Sequence, residues 1–427
     1  EFKLIQIKEL LSIIIMNTHA IGIDVPYYLD EMIGNLLDDY INNNIIHFYK
    51  YKFEDELDSY IHAVATEQLK PVDYITNKHI ESSINRCMNI NYQHIIPRRS
   101  FIDSKSICIP NVNKLELKIQ EIKNRPQPEQ RTNEWYLFRY NLITASNAYK
   151  IFGTEAKRNE IICEKCQDFN MDSRTSTNID SPMHWGVRYE PISVLYYEYI
   201  NNTEVGDFGC IKHDKYDFIG ASPDGINIKK TSDLYGRMLE IKNPKSRVIT
   251  GIPKDEYWVQ MQLQMDVCDL NYCDFLETKF IEYEGLDEFM EDGEFNLSSD
   301  DKYKGVILHF IYNDKSYYEY TPFNCNKSEF NKWEENIMEL NEKKGHNWVQ
   351  NIYWKLEVIS CVLVLRNKLW LRKAIPMISD IWDIIEKERK DKSWINRKPK
   401  KNIKNSKNYV CNSFKKDSKL LIFKIDI

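Results

Sequence analysis

A chain of 427 residues, 42% hydrophobic and 13% aromatic, can bury two or three cores, which excludes a disordered protein. Its 58 Lys and Arg stand against 64 Asp and Glu; the net charge of −6 excludes coating nucleic acid by bulk charge, so any such contact is local. The ten cysteines lack an even framework of spacings, which favours reduced thiols and an intracellular, cytoplasmic setting over disulfide staples.

Residues 1–124 mix apolar runs with acidic turns such as Leu36-Leu37-Asp38-Asp39-Tyr40. Their spacing predicts several short helices, and no motif there carries assignable chemistry. The start does not read as a secretory leader. The apolar stretches Leu10 to Met16 and Val358 to Leu365 fall short of the roughly 20 residues needed to cross a bilayer. Arg125-Pro126-Gln127-Pro128 breaks regular structure, because proline fixes the backbone and removes a donor. A helical accessory region over 1–124, a central domain over 125–345 and a helical extension over 346–427 are therefore expected.

In the central domain the pattern predicts helices at 133–139 and after Thr144, a polar loop around 168–182, and a long helix over 187–200. Strands follow at 209–213, 217–221 and 238–242, giving a hairpin or meander after a helix. Residues 257–267 alternate as a strand would. Their Met, Gln and Leu favour helix, however, and Asp255 and Glu256 suit a helix N-terminus, so helix is expected. A strand at 273–283, a pair at 306–312 and 316–321 joined by Asn313-Asp314-Lys315, and a helix from about 328 complete the domain. The last 80 residues predict helices and a basic tail. Between Lys387 and Lys419 stand 11 Lys and 2 Arg against Glu388, Asp391 and Asp417, a composition that fits DNA phosphates and a solvated end equally.

Ser222-Pro223-Asp224-Gly225 precedes Glu240-Ile241-Lys242, with sixteen residues from Asp to Glu. On a strand, Glu240 and Lys242 share one face while Ile241 enters the core, and Asp224 at the end of a preceding strand can lie beside them. Two carboxylates held close repel unless a cation intervenes, and Mg²⁺ is bound through one or two carboxylates plus water and phosphate. The carbonyl of Ile241 is a further oxygen ligand in reach. Lys242 suits orienting water or stabilising charge on a phosphate, so the set suits phosphodiester hydrolysis. Taken singly, an Asp-Gly turn and a Glu-x-Lys strand are each ordinary.

Six blocks in order raise them above that. They are Arg131-Thr132-Asn133-Glu134-Trp135, Arg139 to Ser146, Trp185-Gly186-Val187-Arg188-Tyr189-Glu190-Pro191, Gly220 to Gly225, Leu239 to Pro244, and Tyr257 to Gln264. From about Glu129 to Thr278 the chain resembles the lambda exonuclease and YqaJ-like viral recombinase family, a branch of the PD-(D/E)xK nucleases. The resemblance implies an α/β, restriction-endonuclease-like core, a mixed sheet flanked by helices, following a mainly helical N-terminal region.

It implies a 5′→3′ exonuclease on double-stranded DNA ends, in recombination or replication of a viral genome, with Mg²⁺ or substituting Mn²⁺. Glu190, Asp224, Glu240 and Ile241 would hold the metal, and Lys242 would complete the catalytic set. Arg139 and Ser146 would hold the 5′-terminal phosphate, a role that suits a planar fork of donors and a small hydroxyl. Gln262 is the favoured match to the family's metal-site glutamine, with Gln260 next, although Gln260 and Gln264 would share a helix face. A single-strand-annealing protein, a homo-oligomer and a viral replication compartment are implied as partner, assembly and location. An endonuclease or RNA-processing nuclease with the same centre, and a silent DNA-end-binding protein, are the competing functions.

Cys163-x₂-Cys166 has half a zinc spacing without a second pair, and Cys268 and Cys273 do not form the run that fastens an iron–sulfur cluster. His184 and His213 read as structural, and Trp135 and Trp185 as packing residues. The purified protein is accordingly expected to be colourless; a visible absorption band that disappears on reduction would contradict this reading of the thiols.

Overall fold

The computed structural model describes residues 25–69, 77–102, 110–130, 132–168 and 181–397. The opening residues examined for a leader, most of the polar segment at 168–182 and the Lys-rich stretch past 397 lie outside them.

The N-terminal region is helical, with helices longer than expected: α1 (Val25–Asn44), α2 (Phe53–Leu69), α3 (Asn77–His94) and α4 (Val112–Asn124). Leu29, Ile33, Leu37 and Ile41 recur every fourth residue along α1, as do Phe53, Leu57, Ile61 and Ala65 along α2, and all are buried. Spacing of four puts each set on one face, and the faces meet in a common core. None of the described helices is long and apolar enough to cross a membrane.

Then come α5 (Asn133–Tyr140), β1 (Ile143–Thr144), α6 (Ala145–Phe152), α7 (Glu155–Cys166) and α8 (Pro182–Asn201). Strands β2 (Val205–Gly206), β3 (Ile211–Lys212), β4 (Ile219–Ala221), β5 (Gly225–Asn227) and β6 (Met238–Lys242) lead into α9 (Asp255–Cys268). The remainder is β7 (Tyr272–Glu282), α10 (Leu286–Glu291), β8 (Lys304–Tyr312), β9 (Lys315–Tyr320), α11 (Lys327–Lys343), β10 (Asn347–Leu365) and α12 (Lys368–Asp391). The seven-stranded sheet runs β2-β5-β6-β7-β10-β8-β9; a smaller one runs β1-β4-β3. Among the described residues of the large sheet only β6 and β7 pair in parallel, connected by α9 as the crossover. The architecture is α/β, a mixed sheet flanked by helices behind a helical N-terminal region.

Two expectations change. The hairpin read at 209–221 belongs to the small sheet, while β5 and β6 belong to the large one, so the meander is split at Asp224. The segment after residue 346, expected as a helical extension, begins with the longest strand, and β10 is hydrogen-bonded between β7 and β8 inside the sheet. Ile352, Trp354 and Leu356 are buried at every second residue, the period of a strand. The expected boundary at 345 thus cuts between two neighbours of one sheet. Helix follows only in α12.

One apolar cluster runs from Leu29 through Met238 on β6 and most of α9 to Ile385 on α12. At its centre Trp258 lies with Phe48 at 5.4 Å and Trp370 at 5.2 Å between ring centroids, and its indole N–H donates to the Arg99 carbonyl at 3.2 Å. Arg99, 4% exposed, donates to the carbonyls of Tyr49 (3.0 Å) and Pro253 (2.8 Å) and pairs with Asp255 at 3.2 Å. The N-terminal helices are in this way fastened to the first turn of α9. Trp258→Ala is expected to lower the unfolding free energy by about 3–5 kcal/mol, measured by urea titration.

Candidate active site

Strand β6 places its side chains by alternation. Leu239 and Ile241 pack with Leu276 and Tyr197 on the α8 side, while Met238, Glu240 and Lys242 face α9. Glu240 is 0% exposed. Its Oε1 accepts from Lys242 Nζ and from Gln260 Nε2 (2.6 Å), and its Oε2 accepts from Gln264 Nε2 (2.6 Å). Gln260 and Gln264 are one helical turn apart on α9, so one face delivers both amides to one carboxylate.

Asp224 stands between β4 and β5, and its Oδ2 accepts from the Ile241 N–H at 2.7 Å. It thus reaches the same strand from the opposite neighbour. The glycine after it is required by close approach: a Cβ on Gly225 would stand 2.1 Å from Val205 Cγ1. Burial and then the charge of Glu240 push the Asp224 carboxyl well above its usual range, with Glu190 adding to the effect. Glu190 is exposed on α8. That helix is tied to the end of β6 by Asn243, whose Oδ1 accepts from Ser193 Oγ (2.8 Å) and whose amide donates to the Gly186 carbonyl (3.2 Å). Burial alone would lower the Lys242 ammonium; the Glu240 and Asp224 carboxylates outweigh it and hold the amine above its ordinary range.

Gln262 does not join this group. It is fully buried on another face of α9, where its amide donates to the Leu365 carbonyl (2.9 Å) and its Oε1 accepts from the Asn367 N–H (2.6 Å). It ties α9 to the junction of β10 and α12. Gln264, not singled out from the sequence, takes its place beside Gln260; the shared helix face was the available signal. His184 bonds to the Tyr318 hydroxyl at 2.7 Å, and His213 lies 3.2 Å from Asp266 and accepts from the Lys215 N–H at 3.0 Å. The thiols of Cys163 and Cys166 on α7 donate to the carbonyls of Trp394 and Ile385.

The centre has the chemistry of a hard-cation site. Two carboxylates outnumber one ammonium, and the Gln264 Oε1 is buried with no hydrogen-bond partner, an orphaned oxygen of the kind such an ion takes. Among the described residues no three His, Cys, Asp or Glu side chains converge, and two carboxylates with waters and phosphate meet the needs of Mg²⁺.

Beside it opens a cleft of about 230 Å³ lined in part by Trp135, Tyr136, Arg139, Thr144 and Lys165. Arg139 Nη1 lies 3.4 Å from Ser222 Oγ, two residues before Asp224, and its guanidinium sits 4.5 Å from the Trp135 ring. Ser146 is exposed in the first turn of α6, its Oγ 3.3 Å from Thr144 Oγ1.

Residues 134–271, which include this centre, match the YqaJ-like viral recombinase domain. The chain is also 30% identical over 339 residues to uncharacterized protein R354 of Acanthamoeba polyphaga mimivirus, a match covering 69% of this chain and 58% of that protein's length. Among solved structures it is similar to the alkaline exonuclease LHK-Exo of Laribacter hongkongensis, at 19% identity and a TM-score of 0.37, covering 62% of this chain and 97% of that one. A phage related exonuclease from Haemophilus somnus 129PT matches at 12% identity and a TM-score of 0.33, covering 59% and 96%.

Gln262→Leu removes the partner of the half-buried Leu365 carbonyl and of the buried Asn367 N–H. It is expected to cost about 1–3 kcal/mol for each group, read as a lower midpoint in urea, whereas an unchanged midpoint would contradict the tie described here.

Proposed function

We propose that this chain is a metal-dependent DNA nuclease that hydrolyses phosphodiester bonds from the 5′ ends of double-stranded DNA, in recombination or replication of a viral genome. The observation that carries the reading is the convergence of Lys242, Gln260 and Gln264 on the buried Glu240, with Asp224 bonded to the same strand, inside a YqaJ-like viral recombinase domain.

Asp224, Glu240 and the carbonyl of Ile241 would hold Mg²⁺ or Mn²⁺, with Glu190 and Gln264 at its margin. A divalent ion bound there supplies Lewis-acid polarisation of the phosphoryl oxygen and of the attacking water. Gln260 and Gln264 hold the Glu240 carboxylate in one orientation. Lys242, kept charged by its two carboxylate neighbours, donates to the nucleophile or to the phosphate as negative charge develops. Arg139 offers a planar fork to a terminal phosphate, and Ser146 a hydroxyl near a helix N-terminus. Removal of a 5′ strand leaves a 3′ overhang. A single-strand-annealing protein is the partner such a product calls for, a homo-oligomer the assembly, and the viral replication compartment of a host cell the location.

The test is digestion of linear duplex DNA with one labelled 5′-phosphate, with and without Mg²⁺, beside a covalently closed circle. Loss of label from the linear end, only with metal and reduced roughly 10²–10³-fold by Lys242→Ala, is expected. Cutting of the circle would make the chain an endonuclease, and no cleavage of either DNA would overturn the reading.

A further inference from the structure

The Arg139 cleft contains a second cation that the proposed chemistry leaves unused. Lys165, near the C-terminus of α7, is 4% exposed. Its Nζ donates to the Arg139 carbonyl at 2.8 Å and forms no ion pair among the described residues. An ammonium has three donors, so one bond leaves it under-used. Glu164, on the cleft wall, is engaged by Asn147 (3.0 Å) and Lys150 (3.1 Å). The Arg139 guanidinium likewise meets a hydroxyl and an indole face and no carboxylate. Two cations therefore line one small cleft whose lining carboxylate, Glu164, is bonded to Asn147 and Lys150 and to neither of them.

A buried charge without a bonded counterion is costly unless a ligand supplies one. A lysine that only capped the end of α5 would not need to be sealed from water, since such caps work from the surface. The corner is held from a third side by Arg389 of α12, which donates to the carbonyls of Lys165 (2.7 Å) and Tyr140 (2.9 Å). Both cations are thus fixed before any ligand arrives, the preorganisation that a phosphate site requires.

We propose that Lys165 is a second cationic ligand of the DNA 5′-terminal phosphate in the Arg139 cleft, and so sets the preference for phosphorylated over hydroxyl ends. The inference rests on the 5′-end reading above. A terminal phosphate carries close to two negative charges at neutral pH, one more than an internal phosphodiester, and a paired Arg and Lys match that excess.

The charge of Lys165 is itself sensitive to pH. Burial lowers its pKa to about 8; Glu164 on its own helix opposes this, Arg139 from α5 and Arg389 from α12 reinforce it, and Cys210 between β2 and β3 opposes it weakly. The free enzyme's lysine therefore loses its proton as pH rises through about 8, and the attraction for a dianion goes with it.

The experiment measures kcat/KM on one linear duplex bearing either a 5′-phosphate or a 5′-hydroxyl, with Mg²⁺, for the full chain and for Lys165→Met and Arg139→Ala. The ratio of the two substrates cancels pH effects common to both. Lys165→Met is expected to lower the ratio about tenfold or more, mainly through KM, the scale of one charge-assisted hydrogen bond. In the unmodified protein the ratio is expected to fall as pH rises from about 7 to about 9. A ratio kept in Lys165→Met, with both substrates slowed alike, would reduce Lys165 to a helix cap. Should that variant not fold, the pH dependence decides: a flat ratio overturns the proposal and a falling one supports it. If Arg139→Ala abolishes the preference while Lys165→Met keeps it, only this inference fails; if the unmodified protein shows no preference, the 5′-end reading falls with it.

Discussion

A carboxylate with no exposed surface governs this fold. Burial strips Glu240 of water, and three side chains donate to it instead: Lys242 from its own strand, Gln260 and Gln264 from α9. Because two of the three come from one helix, the position of α9 is a condition of the site. The surrounding interactions meet that condition. Arg99 holds the first turn, Trp258 fills the middle between the N-terminal helices and α12, and Gln262 ties the opposite face to the β10–α12 junction. The accessory helices and the C-terminal helix thus act on the centre through one element, without touching the carboxylates.

Asp224 extends the same logic. Its hydrogen bond to the Ile241 N–H brings a second carboxylate to β6, and burial beside Glu240 disfavours its charged form, a cost the proposed cation would offset. Two residues earlier Ser222 contacts Arg139, so the carboxylate centre and the cationic cleft are joined by a single turn of chain. A negative centre and a positive cleft thus lie side by side, the arrangement on which the proposed nuclease function rests.

The centre was legible because its residues are close in sequence and regular in period. Glu240-Ile241-Lys242 shows its facing by strand alternation, and Asp224 follows from the turn before it. The long helix α8 and the helix at 255–268 were readable from residue type. What was not legible depended on contacts between distant segments. The register of α9 against β6 chooses Gln264 over Gln262, and a burial pattern that wraps the whole helix hides this from periodicity. The strand at 347–365 was read as part of a helical extension, although Ile352, Trp354 and Leu356 alternate, because its partners lie 72 to 93 residues before it in β7 and 36 to 51 before it in β8. Lys165 carries no motif, and only the folded cleft sets it beside Arg139.

The most direct measurement is the unfolding temperature of the full chain with and without saturating Mg²⁺, in the absence of DNA, for the natural sequence, Asp224→Asn and Glu240→Gln. A ligand that binds only the folded state stabilises it by RT ln(1 + L/Kd), where L is the free ligand concentration. The Asp224–Glu240 pair, as the cation site, predicts a rise for the natural sequence that is lost in both variants; an equal rise in all three would contradict it.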